Sequence, residues 1–258
     1  MNNSRREFLK DTVKAILLAG LPLSAFEVFK PEVFAATILK GNKGKQWAFV
    51  VDITKCVGCG MCVKACKLEN EVPYDTTVSR TWIERYVVLK DGKVLTDSPM
   101  AGRDGYLKDD PQGQKIPKED IARGFFVPKL CNLCRKSTCV QVCPVGASHY
   151  TPEGIVLVDR EWCIGCGYCI MACPYGTRFF HPVYKTAEKC NICYHRITKG
   201  MNPACVDACT FGVRKHGDIN DPNSEVRKIV LTERVSVLKD EYGTMPTTFY
   251  IGLDHTVR

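Results

Sequence analysis

All sixteen cysteines of this 258-residue chain lie between Cys56 and Cys209, in four groups of four. The first group, "CVGCGMCVKAC", holds Cys56, Cys59, Cys62 and Cys66; the third, "CIGCGYCIMAC", holds Cys163, Cys166, Cys169 and Cys173. Each follows a short apolar stretch ending in Val-Asp, at Val51-Asp52 and Val158-Asp159. The second group, "CNLCRKSTCVQVC", holds Cys131, Cys134, Cys139 and Cys143, and the fourth, "CNICYHRITKGMNPACVDAC", holds Cys190, Cys193, Cys205 and Cys209. These two share C-N-[LI]-C and a closing C-V-x-x-C. The order A, B, A′, B′ is an internal duplication, and any fold must gather its two halves around these thiols.

The spacing selects the chemistry. In C-x-x-C-x-x-C the loop curls so that three thiolates converge on one metal cluster. Gly58, Gly60, Gly165 and Gly167 lie between ligands, where a missing β-carbon permits positive φ and turns backbone N–H groups toward sulfur. The fourth cysteine always follows the third after three residues, a helical i, i+4 step of about 6 Å along the axis. It can therefore serve a neighbouring cluster, as in two-cluster bacterial ferredoxins. Pro144 and Pro174 complete the C-x-x-x-C-P signature in groups two and three. Disulfides do not suit this pattern: cysteines two residues apart rarely pair, and frameworks of disulfides are spaced more widely. Zinc accounts for an isolated C-x-x-C pair, but not for three cysteines at two-residue intervals in a duplicated set.

Charge agrees with iron–sulfur sites. The formal net charge is +8, which at face value suits nucleic acid. Four cubanes on thiolates bring about −8 in total, so the basic excess compensates buried anions. No aromatic-plus-basic stripe of a single-strand binder is present. At the N-terminus, Arg5 and Arg6 stand in S-R-R-x-F-L-K ahead of an uncharged run from Ala15 to Phe26. That run of 12 residues is shorter than the about 20 needed to span a bilayer. It reads as an export signal, similar to the twin-arginine type that carries folded proteins.

Between groups two and three, "HYTPEGIVLVD" reads as a hairpin turning at Gly154. Those groups then form one ferredoxin-like unit, leaving groups one and four to build the other from distant parts. A sequential pairing would instead have to bridge the 64 residues between Cys66 and Cys131.

The stretches "WAFVVDITKCVGCGMCVKAC", "FFVPKLCNLC", "CIGCGYCIMACPYGTRFF", "KCNICYHRITKGMNPACVDAC" and "HGDINDPNSEV" resemble the four-cluster ferredoxin-like subunits of complex iron–sulfur molybdoenzymes. That family includes the electron-transfer subunits of DMSO, tetrathionate and polysulfide reductases and of formate dehydrogenase. The resemblance implies an α+β fold of two bacterial-ferredoxin-like units in nested order, with an insertion and a C-terminal tail. It implies four [4Fe–4S] clusters by cross-ligation: Cys56, Cys59, Cys62 with Cys209; Cys190, Cys193, Cys205 with Cys66; Cys131, Cys134, Cys139 with Cys173; and Cys163, Cys166, Cys169 with Cys143. Relatives that replace one cysteine hold a three-iron cluster, whereas this chain keeps all sixteen. Lys67 and Thr210 stand where the family often has proline, which bears on turn geometry.

The expected organisation is a signal at 1–36, the first half of unit one with its insertion at 45–125, unit two at 126–182, the second half of unit one at 183–218, and a tail at 219–258. Within the insertion, "YVVLKDGKVLTD" reads as a hairpin at Asp91-Gly92, and "KDDPQGQKIPKED" as a polar loop or docking surface. His149, His181, His195, His216 and His255 follow no ligand spacing, and Trp162 reads as a shield for the adjacent Cys163. No nucleophile–base pair, carboxylate pair or phosphate loop suggests catalysis. The expected role is that of a non-catalytic subunit conducting single electrons in a periplasmic, membrane-associated respiratory complex. Its implied partners are a polytopic quinone-reactive membrane subunit and a molybdopterin-type catalytic subunit or multihaem cytochrome c. A soluble periplasmic polyferredoxin and a structural zinc module are the alternatives.

Overall fold

The strand that leads into the first cysteine group also anchors the end of the chain. In the computed structural model, which describes residues 44–106 and 110–257, β1 (Trp47–Asp52) is one of two inner strands of a four-stranded sheet. Its Ala48–Val51 run is wholly buried, as an uninterrupted apolar run in a strand covered on both faces should be. On one side β9 (Arg214–Asp218), which leaves the fourth group, pairs antiparallel with β1. On the other, β11 (Thr248–Ile251) pairs parallel with it, and β10 (Val235–Ser236) closes the edge. Residues 219–258 are therefore not a tail. They supply the helix α6 (Glu225–Thr232), two strands, and the buried side chains of Phe249 and Tyr250. Four residues are a weak strand signal; burial against β1 is what makes them one.

The expected hairpin at Asp91-Gly92 forms, and is one arm of a larger sheet. β2 (Thr81–Leu89) pairs with β3 (Val94–Asp97) across a turn in which the Leu89 N–H donates to the Lys93 carbonyl at 2.9 Å. Its other edge pairs with β4 (Ile121–Leu130) from Thr81↔Leu130 onward, which delivers Cys131 at the strand's end. Pro128 is tolerated in β4 because that strand pairs on one side only. The polar loop carries two 3₁₀ turns, Pro111–Gly113 and Lys118–Asp120. A third hairpin, β5 (Ser148–Tyr150) with β6 (Val156–Val158), turns at Gly154 (φ +80°) as expected. A short ribbon of β7 (Phe179–Phe180) and β8 (Ala187–Glu188) precedes group four.

The helix expected between third and fourth ligands forms in full only in group one. There α1 (Met61–Glu69) contains both Cys62 and Cys66. In groups two and three, α2 (Thr138–Gln141) and α3 (Tyr168–Met171) stop before Cys143 and Cys173. A residue preceding proline is pushed out of the α region, and Pro144 and Pro174 follow those cysteines. Lys67 imposes no such stop. In group four, α4 (Tyr194–Ile197) follows Cys193, and α5 (Ala204–Asp207) ends ahead of Cys209, whose N–H closes a tighter turn onto the Val206 carbonyl at 3.0 Å.

Residues 1–36, with Arg5 and Arg6, lie outside the described residues, as do Lys108 and Asp109 of the polar loop. Among the described residues no helix is long and apolar enough to cross a membrane.

Candidate metal centres

The sixteen thiols are all free; seven are buried, seven are half-buried, and only Cys59 and Cys166 are exposed. The four inter-ligand glycines take positive φ: +68° at Gly58, +79° at Gly60, +69° at Gly165 and +80° at Gly167. Gly60 and Gly167 are the N-caps of α1 and α3, so each turns the chain from the ligand loop into the helix carrying the third cysteine.

The thiols raise one another's pKa values, and the groups that do so draw on distant parts of the chain. Burial pushes the Cys62 thiol up, and Cys209 and Cys59 push it further. Cys56 rises to about 11 through burial, with Cys62 and Cys59 adding to it. Around Cys66, burial acts first, then the sulfurs of Cys205, Cys190 and Cys193. Burial takes Cys134 to about 12, reinforced by Cys131, Cys139 and Cys173. Cys143, Cys163, Cys166 and Cys169 line one cavity. Among the described residues, no three His, Cys, Asp or Glu side chains converge on the coordination sphere of a single ion.

Donors aim at the sulfurs. The Ser148, Ala187 and Ile192 N–H groups each lie 3.4 Å from the Sγ of Cys143, Cys163 and Cys190 respectively. Although burial raises the Cys143 thiol, the N–H groups of Ser148, Val145, Ala147 and Gly146 outweigh it and hold it below its usual value. Such amide nests favour anionic sulfur. Asn70 Nδ2 reaches Cys66 Sγ at 3.5 Å and Cys193 Sγ at 3.8 Å, and is itself held by Arg80 Nη1, which donates to Asn70 Oδ1 at 2.6 Å. Nothing in the spacing of the cysteines pointed to Asn70.

Two buried arginines were also missed. Arg214 donates from Nη2 to Thr81 Oγ1 at 2.8 Å, and Arg178 from Nη1 to Ser148 Oγ at 2.9 Å. Each leaves Nε and one terminal nitrogen buried without a partner. Burial alone would lower the Arg214 pKa, but the sulfurs of Cys62, Cys205 and Cys56 hold it up; Cys139, Cys169 and Cys131 do the same for Arg178. Orphaned guanidinium nitrogens facing thiol sets require an anion. A thiolate-held iron–sulfur cluster is one, so these residues fit the group. A signal existed: "CPYGTR" and "CTFGVR" place each arginine five residues after the fourth cysteine.

Trp162 is 65 % exposed, so it does not seal Cys163 from solvent as its position suggested. His181 donates to the Glu71 carbonyl, His195 pairs with Glu69 and His216 stacks on Trp47.

Two models of a 4Fe-4S dicluster domain match, at residues 55–147 and 122–219. A tetrathionate reductase subunit of Salmonella typhimurium is 35% identical over 98% of this chain and 90% of its own length. The Archaeoglobus fulgidus protein of the same name is 41% identical over 83% of this chain and 86% of its own. The NrfC homolog of Haemophilus influenzae is 36% identical over 98% of this chain and 96% of its own. Two dicluster domains and sixteen cysteines give four [4Fe–4S] clusters. The chain belongs to the iron–sulfur electron-transfer subunits of the molybdoenzyme family.

Proposed function

We propose that this chain is the electron conductor of a periplasmic, membrane-associated reductase complex, linking a quinone-reactive membrane subunit to a molybdopterin-type catalytic subunit or multihaem cytochrome. The ligand sets are Cys56, Cys59, Cys62 and Cys209; Cys66, Cys190, Cys193 and Cys205; Cys131, Cys134, Cys139 and Cys173; and Cys143, Cys163, Cys166 and Cys169. When bound, such clusters accept and release one electron at a time.

The observation that carries this reading is the order in which the sets adjoin. Cys205 of the second set is influenced by Cys62 of the first, and Cys190 of the second by Cys131 of the third. Arg178 stands beside Cys139 and Cys131 of the third set and Cys169 of the fourth. With the ligand sets as proposed, these influences order them one after another, the exposed Cys59 and Cys166 falling in the first and the fourth. Exposed apolar side chains surround both: Val57 and Met61 at one end, Ile164, Tyr168 and Met171 at the other. Apolar rims of this kind suit partner proteins. The pairing of β1 with β9, which joins the strand before group one to the strand after group four, supports the nested order.

Anaerobically purified protein should be brown with about sixteen irons and should co-purify from membranes with an integral subunit. A colourless zinc protein overturns the reading, and a protein that always purifies alone overturns its membrane partner. Changing Arg5 and Arg6 to lysine should leave loaded protein in the cytoplasm; normal export of that variant overturns the twin-arginine route.

A further inference from the structure

In the proposed order the ligand sets adjoin at three places, and at each one a buried cation interacts electrostatically with thiols of both sets. Arg214, 2 % exposed, lies between the first and second sets, beside Cys56, Cys62 and Cys205. Lys189, also 2 % exposed, directly precedes Cys190 of the second set. Its charge favours the thiolates of both Cys190 and Cys139, and its Nζ donates to the carbonyls of Val156 and Cys190. Arg178, 4 % exposed, lies between the third and fourth, beside Cys131, Cys139 and Cys169. Among the described residues none of the three has a carboxylate partner, although other buried cations here, Arg80 and Arg85, do.

A buried cation without a counter-ion is strongly destabilising, so its retention at a junction calls for anions on both sides. Two of the cations share one offset from a fourth cysteine. Five residues after the fourth cysteine, groups three and four carry Arg178 and Arg214, while group two carries Ser148, the hydroxyl that receives Arg178. Thr81 receives Arg214 in the same way. In each case a neutral hydroxyl orients the guanidinium and leaves its charge unneutralised.

We propose that Arg214, Lys189 and Arg178 are positioning charges of the electron path, each raising the reduction potentials of the two clusters it faces; this rests on the ligand sets given above. Reduction adds one negative charge to a cluster, and a fixed neighbouring cation favours the more negative state. A cation shared by two clusters raises both potentials and relieves the repulsion between the neighbouring anions.

The test uses the whole protein, purified anaerobically, with iron counted before an EPR-monitored redox titration. Arg214→Gln keeps hydrogen-bond donors and removes the charge; Arg214→Lys keeps the charge. In Arg214→Gln the reduction constants of two of the four signals should fall at least tenfold, about 59 mV for a one-electron couple, with the other two unmoved. Arg178→Gln should move the complementary two, and Lys189→Gln one from each pair. Lysine at 214 should restore wild-type potentials. Unmoved signals with full iron, or equal shifts in the glutamine and lysine variants, overturn the proposal. Equal iron loss from both variants overturns it too, leaving Arg214 a purely structural part; iron lost from the glutamine variant alone supports it. A wild-type protein without four redox-active signals overturns the ligand sets themselves, so the two failures are distinguishable.

Discussion

Arg80 Nη2 lies 3.0 Å from Glu188 Oε2, with both side chains buried. Arg80 follows group one in the chain and Glu188 precedes group four, so this pair ties the two sequence-distant parts together two residues ahead of Cys190. Burial alone would raise the Glu188 carboxyl, but the charge of Arg80 and bonds from the Lys189 N–H, Arg160 and Arg80 hold it below the usual range. Glu188→Leu strands Arg80 in the interior. The expected cost is about 3–5 kcal/mol, with the double variant Arg80→Met/Glu188→Leu losing less than Glu188→Leu alone. Urea midpoints measured without oxygen check this; a double variant less stable than either single one contradicts it.

Lys67, 1 % exposed, occupies the place where the family often carries proline. Its Nζ donates to the carbonyls of Pro73 (3.1 Å), Thr76 (2.6 Å) and Val78 (2.8 Å) and to Thr76 Oγ1 (3.3 Å). One ammonium thus holds the loop that leads into β2. Lys67→Met preserves the apolar stem but leaves several acceptors unpaired, for an expected loss of about 2–4 kcal/mol. Hydrogen exchange should rise first in residues 73–78, and unchanged protection there would show that the loop is held by other contacts.

The four cysteine groups and the iron–sulfur chemistry were legible because their spacing is itself the chemistry, and the hairpins at Asp91-Gly92 and Gly154 because their turns need positive φ. Other features depend on what packs against them. Thr248–Ile251 becomes a strand only through its pairing with β1. The buried charges of Arg178 and Arg214 look in the sequence like any other basic residues, until the fold places them beside sulfur. Trp162 shows the converse: adjacency to Cys163 in the chain does not mean burial over it.

His216 stacks on Trp47 at a 5.6 Å centroid distance, and burial lowers its pKa from 6.5 to about 4, against a small opposing pull from Asp207. A histidine kept neutral in the fold is protonated more readily in the unfolded chain. Stability is therefore full above pH 6.5 and is lost as the pH falls toward about 4, by on the order of 2–3 kcal/mol. His216→Phe keeps an aromatic ring against Trp47 and removes the titration. Its unfolding midpoint should depend less on pH between 6.5 and 5 than that of the wild type; parallel profiles would assign the acid sensitivity to other groups.

Gly60 and Gly167 occupy the same place in the duplicated loops, with φ of +79° and +80°, but meet different neighbours. A β-carbon on Gly60 would stand 2.1 Å from the Arg103 carbonyl oxygen and 2.6 Å from that of Gly102, both in the insertion's backbone. On Gly167 it would meet the Phe180 ring edge at 3.1 Å, a side chain that can swing away. Both alanine variants carry the backbone cost of positive φ, about 1 kcal/mol. Only Gly60→Ala must also displace main chain, separating the insertion from the first ligand loop. Gly60→Ala is expected to lose about four of about sixteen irons, while Gly167→Ala keeps its full complement with a slightly lower melting point. Iron counted per protein decides the matter: equal retention in the two variants would show that residues 102–103 yield freely and do not clamp the loop that carries Cys59 and Cys62.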